Sequence, residues 1–96
     1  VNILLTYWRY NQGFLPMLQE RKDNPTKAES PVWQNLDNAG NGRKKSGKGS
    51  KTRYHEWDNT HNDIEVYNND GRHLGSMDPT TGEMYKDPVP GRKIDL

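Results

Sequence analysis

Apolar and polar residues alternate with period two along the stretch from Tyr54 to Met77, YHEWDNTHNDIEVYNNDGRHLGSM, and that alternation predicts paired β-strands. Two runs, Arg53 to Asp58 and His61 to Tyr67, are separated by Asn59 and Thr60, a polar break that permits a tight hairpin. Pairing about that break sets Asp58 opposite His61, Trp57 opposite Asn62, Glu56 opposite Asp63 and Tyr54 opposite Glu65. Side chains alternate across a strand, so Tyr54, Glu56, Asp58, His61, Asp63 and Glu65 share one surface while Trp57, Ile64 and Val66 share the other. The apolar surface can be buried; the acidic one must stay wet or bind something.

The punctuation continues after Tyr67. Asn68-Asn69-Asp70-Gly71 and Asp78-Pro79-Thr80-Thr81-Gly82 read as turns, with strands Arg72 to Met77 and Glu83 to Lys86 between and after them. A three-residue first turn would set His73 opposite Tyr67, Leu74 opposite Val66 and Gly75 opposite Glu65, where the missing side chain would leave open space over the acidic surface. The result is an antiparallel meander of four strands or more, followed by a Pro-punctuated tail from Asp87 to Leu96. Between Asn2 and Lys22 the apolar residues Ile3, Leu4, Tyr7, Trp8, Phe14, Leu15 and Leu18 recur at three- and four-residue intervals, which predicts one or two short helices interrupted by Gly13 and Pro16 and capping the sheet. Asp23 to Gly42 reads as a tethered loop anchored by Val32, Trp33 and Leu36. The fold class is therefore α+β, mainly β.

Composition limits the core. Of 96 residues only 29% are hydrophobic, so a thin core and long loops are expected, with three Trp and five Tyr supplying most of its bulk. The absence of cysteine rules out disulfides and Cys-based zinc sites and leaves the compartment unconstrained by redox. No run approaches a membrane span, and Ile3 to Leu5 is too brief for a signal-peptide core, so stable membrane insertion is not expected. The chain begins at Val1, which suggests a piece of something longer, and a monomer is expected.

The net charge of +1 conceals a boundary. Arg43 to Arg53, RKKSGKGSKTR, holds basic residues and no acid, whereas the stretch between Arg53 and Arg72 has acids and no Lys or Arg. A basic run is most often a solvated loop. Here the interleaved Gly and Ser also suit a mobile cationic strip that draws in a polyanion, with Arg43, Lys44, Lys45, Lys48 and Lys51 as phosphate contacts.

Asp58-Asn59-Thr60-His61 brings a carboxylate within reach of an imidazole, an arrangement that fixes a histidine tautomer, although a turn-stabilising Asp near a surface His is the commoner occurrence. Glu65 is on the same side, roughly 13 Å from His61 if the strand is fully extended. Four carboxylates together should raise the proton affinity of at least one by repulsion. They also repel a phosphate, so cations must come from Lys86, Arg92 and the basic run. His61 and His73 could share a face with Asp58 around a metal, but no HExxH or Cys/His spacing is present, and metal-free chemistry without a cofactor is the stronger reading. His55 points to the opposite face.

Tyr54 to Asp58 with His61 and Glu65, then Asp70-Gly71-Arg72-His73-Leu74-Gly75-Ser76-Met77-Asp78-Pro79, and Pro88-x-Pro-x-Arg92 closely resemble the cytotoxic ribonuclease domains of the colicin E3 and cloacin type. The likeness covers the C-terminal half and extends loosely into Asn41 to Lys51, dividing the single domain 1–96 into a lead, 1–35, and a ribonuclease-like core, 36–96. It implies a strongly twisted antiparallel sheet and an enzyme making one cut in 16S ribosomal RNA at the decoding site of the 30S or 70S ribosome, held in check by a cognate immunity protein. The family's catalytic Asp, His and Glu fall on Asp58, His61 and Glu65, its functional Arg on Arg92 and a nearby Lys on Lys86. Tyr54, Asp63, Tyr67 and His73 are the accompanying substrate-binding candidates, Asp63 standing where the family has Glu.

The implied reaction is metal-independent attack of the ribose 2′-hydroxyl on the adjacent phosphate, to which DNA is immune. Glu65 is the expected base and His61 the expected acid, with the reverse nearly as defensible. The unfamiliar lead suits a toxic tip exchanged between delivery systems, such as a contact-dependent inhibition protein, released from or displayed on one bacterium and acting in the cytoplasm of another. Two other classes remain open. One is a non-catalytic RNA-binding or interaction module; the other is a metal-dependent nuclease resembling the HNH colicins, which needs a helix where a further hairpin is expected.

Overall fold

The computed structural model describes residues 23–96, so the helical segment expected from Asn2 to Lys22 lies outside the described residues. The chain forms a short helix α1 (Pro31–Asn35), strands β1 (Asp37–Gly40) and β2 (Arg43–Ser46), a 3-10 turn (Gly49–Lys51), and strands β3 (Arg53–Asp58), β4 (Asp63–Tyr67), β5 (His73–Met77) and β6 (Met84–Lys86). These make one six-stranded sheet in sequence order, every neighbouring pair antiparallel. The fold is the mainly β meander that the alternation predicts, with more strands than the alternation revealed. Among the described residues no helix is long and apolar enough to cross a membrane.

Two readings of the N-terminal part are corrected. The stretch Asp23 to Gly42 is not a plain loop, and the basic run is not a free strip, because β2 takes Arg43–Ser46 into the sheet beside β3. α1 is only one turn long and depends on what it touches. Ser30 caps it, accepting from the Trp33 amide at 3.0 Å, and donates its own hydroxyl proton to the Pro79 carbonyl at 2.6 Å. Pro31 fills the first turn, where a missing N–H costs nothing. The cap thus ties α1 to the β5–β6 turn and lowers Trp33 onto the sheet. There it joins buried Ile64 and Val66, with Val32, Leu36, Trp57, Leu74 and Met77 packed around them. Trp33 meets Trp57 edge to face at 5.7 Å, a geometry the ring quadrupoles favour.

The β3–β4 register differs from the expected one. Asp58 faces Asp63, Trp57 faces Ile64, Glu56 faces Glu65 and Tyr54 faces Tyr67. The connection is loop 59–62, closed by the Asn62 amide on the Asp58 carbonyl at 2.7 Å, with Asn62 at φ 53. Slipping by two residues keeps every side chain on its predicted face. In β4–β5, Tyr67 faces His73 as expected, but the register then shifts, so Val66 faces Gly75 and Glu65 faces Ser76. Leu74 is the extra residue of this bulge. The space expected over Gly75 is filled: at φ +130, a Cβ there would lie 2.2 Å from the Lys86 carbonyl oxygen. β4 is consequently buried on both faces, Asp63 being 1% and Glu65 8% exposed, which corrects the expectation of a wet acidic surface.

His55 is 1% exposed on the core side, bonded through Nε2 to Ser46 Oγ at 3.0 Å, and its Nδ1 has no partner among the described residues. Burial, helped by the Arg53 charge, lowers its pKa to about 4 from 6.5. Between those values the unfolded chain takes up a proton that the folded chain refuses, so stability is complete above pH 6.5 and falls as the pH drops toward 4. The loss is on the order of 3 kcal/mol. Urea unfolding at pH 7 and pH 4.5 should show it, and His55→Gln should flatten the slope; an unchanged slope in that variant would assign the acid sensitivity elsewhere. Asp58 does not confuse the window, since the stability conferred by its depressed carboxyl is fully present above its ordinary 3.8 and is lost only below it.

Candidate active site

The polar face of β3–β5 carries a row of carboxylates, each engaged by donors from a different part of the chain. At the hairpin end, Asp58 Oδ1 accepts from the amides of Thr60 at 2.9 Å and His61 at 3.3 Å, while Oδ2 accepts from His61 Nδ1 at 2.8 Å. This is an Asx turn with an imidazole added. The bond assigns the ring proton of His61 to Nδ1 and leaves Nε2 outermost on a side chain that is 61% exposed. Burial opposes ionisation of Asp58, but the bonds from the His61 ring and the two amides outweigh it and hold the carboxyl below its ordinary value. The upward shift expected from clustered carboxylates is therefore reversed at this residue.

Asp63, directly across from Asp58, receives Lys86 Nζ on Oδ2 at 2.5 Å and the Tyr85 hydroxyl and Asn24 Nδ2 on Oδ1, the latter at 3.1 Å. Burial and the bond to Asp63 raise the Tyr85 phenol far above its ordinary range, which keeps it a donor. Asn24 Nδ2 also lies 3.3 Å from the His61 carbonyl, so it links the His61 turn to the Asp63 cluster.

Glu65 follows two residues along, about 7 Å further on the same face. Its Oε1 accepts from His73 Nε2 at 2.7 Å and Arg92 Nη1 at 3.2 Å, and its Oε2 from Ser76 Oγ at 2.9 Å. His73 Nδ1 accepts from the Val89 amide at 2.9 Å, which assigns its ring proton to Nε2 and aims it at Glu65. The bulge at Leu74 makes this possible, because it turns both His73 and Ser76 toward one carboxylate. Tyr67 packs on the His73 ring with centroids 5.2 Å apart. Burial first, then the charges of Glu56 and Glu65, push its phenol up.

Glu56 is held by Arg43 Nε at 2.8 Å, and Arg43 also donates to the Asp95 carbonyl at 2.6 Å. Like charges directly across a sheet repel. Here Arg43, Lys86 and Arg92 meet Glu56, Asp63 and Glu65, which lets the sheet keep two facing carboxylate pairs.

The predicted residues are therefore grouped unevenly. Asp58, His61, Asp63, Glu65, His73, Lys86 and Arg92 come together, with Lys86 and Arg92 engaged by carboxylates yet 44% and 45% exposed. Tyr54 is half-buried opposite Tyr67, and Tyr67 and His73 are buried beneath the face rather than lining its surface. Lys44 is turned the other way, its Nζ 5.7 Å from the Trp33 ring, and is removed from the phosphate-contact set. Lys45, Lys48 and Lys51 are exposed. Among the described residues His73 does not join Asp58 and His61 in a group of ligand atoms close enough to share a metal. Asp58, His61 and Asp63 do offer ligand atoms within 4.8 Å of one another, but an ion there would displace the bonds just described.

Asn24, Ser76 and Tyr85 were not predicted. Tyr85 and Ser76 sit within expected strands, but alternation from Leu74 puts Ser76 on the apolar face, and only the bulge turns it to Glu65. Asn24 lies 39 residues from Asp63 and carries no local signal.

A family model for Cytotoxic domains matches residues 18–95. The chain is 47% identical over 57 residues to Colicin E3 of Escherichia coli. Over segments of the same length it is 44% identical to Cloacin and to Colicin-E6, both of Escherichia coli. Each match covers 57% of this chain and 10% of the relative, so the chain spans about a tenth of the length of the curated relatives it matches.

Proposed function

The chain belongs to the Cytotoxic family and is a colicin E3-type cytotoxic domain, and from that premise we propose that it is a bacterial toxin endoribonuclease that cuts 16S ribosomal RNA at the decoding site without a metal. The observation that carries this reading is the pairing, on one face of one β-ribbon, of an exposed imidazole held by Asp58 with a carboxylate held by His73, Ser76 and Arg92.

Glu65 acts as the base. A carboxylate offers about four lone-pair directions, and its three donors leave one, on Oε2, for the ribose 2′-hydroxyl proton. The 2′-oxygen bonds to phosphorus, the bond to the 5′-oxygen breaks, and His61, entering the reaction as the imidazolium with Nδ1–H on Asp58 and a second proton on Nε2, delivers that outer proton to the leaving oxygen and is left as the neutral ring. The products are a 2′,3′-cyclic phosphate and a 5′-hydroxyl. Arg92, half-exposed beside Glu65, stabilises the charge growing on the phosphoryl oxygens, and Lys86 adds to the field. Lys45, Lys48 and Lys51 contribute affinity for the RNA backbone, which weakens as salt rises. The target is the ribosome of a susceptible bacterium, reached from a producing cell, and a cognate immunity protein is the inhibitor.

Incubating the chain with ribosomes, naked RNA and DNA, each with and without EDTA, tests the reading. The expected result is one new end near the 3′ terminus of small-subunit RNA, indifferent to EDTA, with DNA intact. Loss of cutting in EDTA would favour a metal-dependent nuclease using Asp58, His61 and Asp63, whose ligand atoms are close enough to share an ion. Binding of RNA with no product would leave only an interaction module.

A further inference from the structure

The chain's last residues fold back along the start of β5. The Ile94 amide donates to the Gly71 carbonyl at 2.9 Å and the His73 amide to the Arg92 carbonyl at 3.0 Å, bracketing a bridge between Arg72 and Lys93. The approach is close: Gly71 is at φ +86, and a Cβ there would lie 2.4 Å from the Ile94 carbonyl oxygen. Because the hydrogen bonds flank the Arg72–Lys93 pair rather than join it, this is the kind of antiparallel pair whose side chains come nearest. Both residues are exposed cations, and like charges directly opposite each other destabilise a ladder. Among the described residues neither has an ion pair. Beside them a cavity of about 570 Å³ is lined by Arg72, Lys93, His73, Val89 and Arg92, with Asp70 as its acid.

We propose that Arg72 and Lys93 form an anion subsite that takes a phosphodiester of the RNA strand flanking the linkage held at Glu65 and Arg92. The subsite relies on the nuclease reading only for the identity of its ligand. A phosphate between the two cations turns an unfavourable pair into a favourable one, and the neighbouring cavity has room for the attached nucleoside. The tail strap then has two roles: Arg92 serves the reacting phosphate, and Lys93 with Arg72 sets the register of the next one.

A fluorescent, uncleavable 2′-O-methyl RNA strand, titrated by anisotropy over a series of salt concentrations, separates this from the cleavage reaction. The double substitution Arg72→Ala with Lys93→Ala should weaken binding by about tenfold and make the salt slope shallower by about 0.7, the value for one single-strand phosphate contact. Arg72→Lys should keep most of the slope. Without RNA the double variant should unfold at the same or a higher temperature, because a repulsion has been removed. Inorganic phosphate at the same ionic strength should not compete with the RNA; equal competition would make the pair a free-phosphate site and overturn the assignment, as would an unchanged affinity and slope. Failure of the parent chain to cut RNA, with the binding difference intact, would sink the nuclease reading and leave the subsite standing.

Discussion

Replacing His61 with alanine is expected to lower RNA cleavage by about 10²- to 10⁴-fold, the usual worth of a positioned proton donor, while leaving the fold unchanged. The structural half of this expectation follows from position. His61 sits in loop 59–62, its side chain is 61% exposed, and its one bond is to Asp58, which keeps two backbone donors when the ring is gone. Surface changes of this kind cost little stability. Single-turnover cleavage of ribosomes, set beside thermal unfolding of the same preparations, checks both halves. A His61→Ala variant that cuts at the parental rate would remove His61 from the chemistry, and Asp58 with it, since Asp58 is assigned only to hold that ring.

Glu65→Ala should have a comparable effect on cleavage and a very different one on stability. Glu65 is 8% exposed and accepts from His73, Ser76 and Arg92, so its removal leaves a buried imidazole and a buried hydroxyl facing each other with no acceptor between them. Breaking a buried charged network from one side costs about 3–5 kcal/mol. Because His73 also accepts from the Val89 amide, the loss should reach the tail strap and loosen Arg92. Denaturant unfolding measures the stability term, and amide exchange at Val89 and His73 shows whether the strap opens. A Glu65→Ala chain as stable as the parent would mean that the network around this carboxylate contributes nothing, and the argument that it is preorganised for proton abstraction would fall with it.

The two variants also divide the site by its origin. Asp58 and His61 lie within one turn, and their partnership could be read from Asp58-Asn59-Thr60-His61 because an Asx turn is built by neighbours in sequence. The Glu65 network draws on His73 and Ser76 of β5 and Arg92 of the tail, which are 8, 11 and 27 residues away. Residue types alone named Glu65, His73 and Arg92 as candidates. Nothing local said that one carboxylate would bind all of them.

The hidden strands have a similar explanation. β1 reads DNAG and β2 reads RKKS, neither with an apolar alternation; β2 is a strand because β3 offers it a hydrogen-bonding edge and Glu56 offers Arg43 a counter-charge, and β1 because β2 then offers it the next edge. A cationic run with interleaved glycines looks like a solvated loop until that edge is known.

What the sequence determined by itself was the division of β3 and β4 into an apolar and an acidic face, since side-chain alternation is a property of each strand alone and survives a slip of two residues. It also determined the Asp58–His61 pair. Tertiary structure decided the register, the bulge at Leu74 that brings Ser76 to Glu65, and the matching of Arg43, Lys86 and Arg92 to the carboxylates. It also decided that β6 would close over Gly75 and bury a face that looked wet. Those outcomes depend on which distant segments compete for the same edge and the same charge, and the pattern of any single strand carries no record of its rivals.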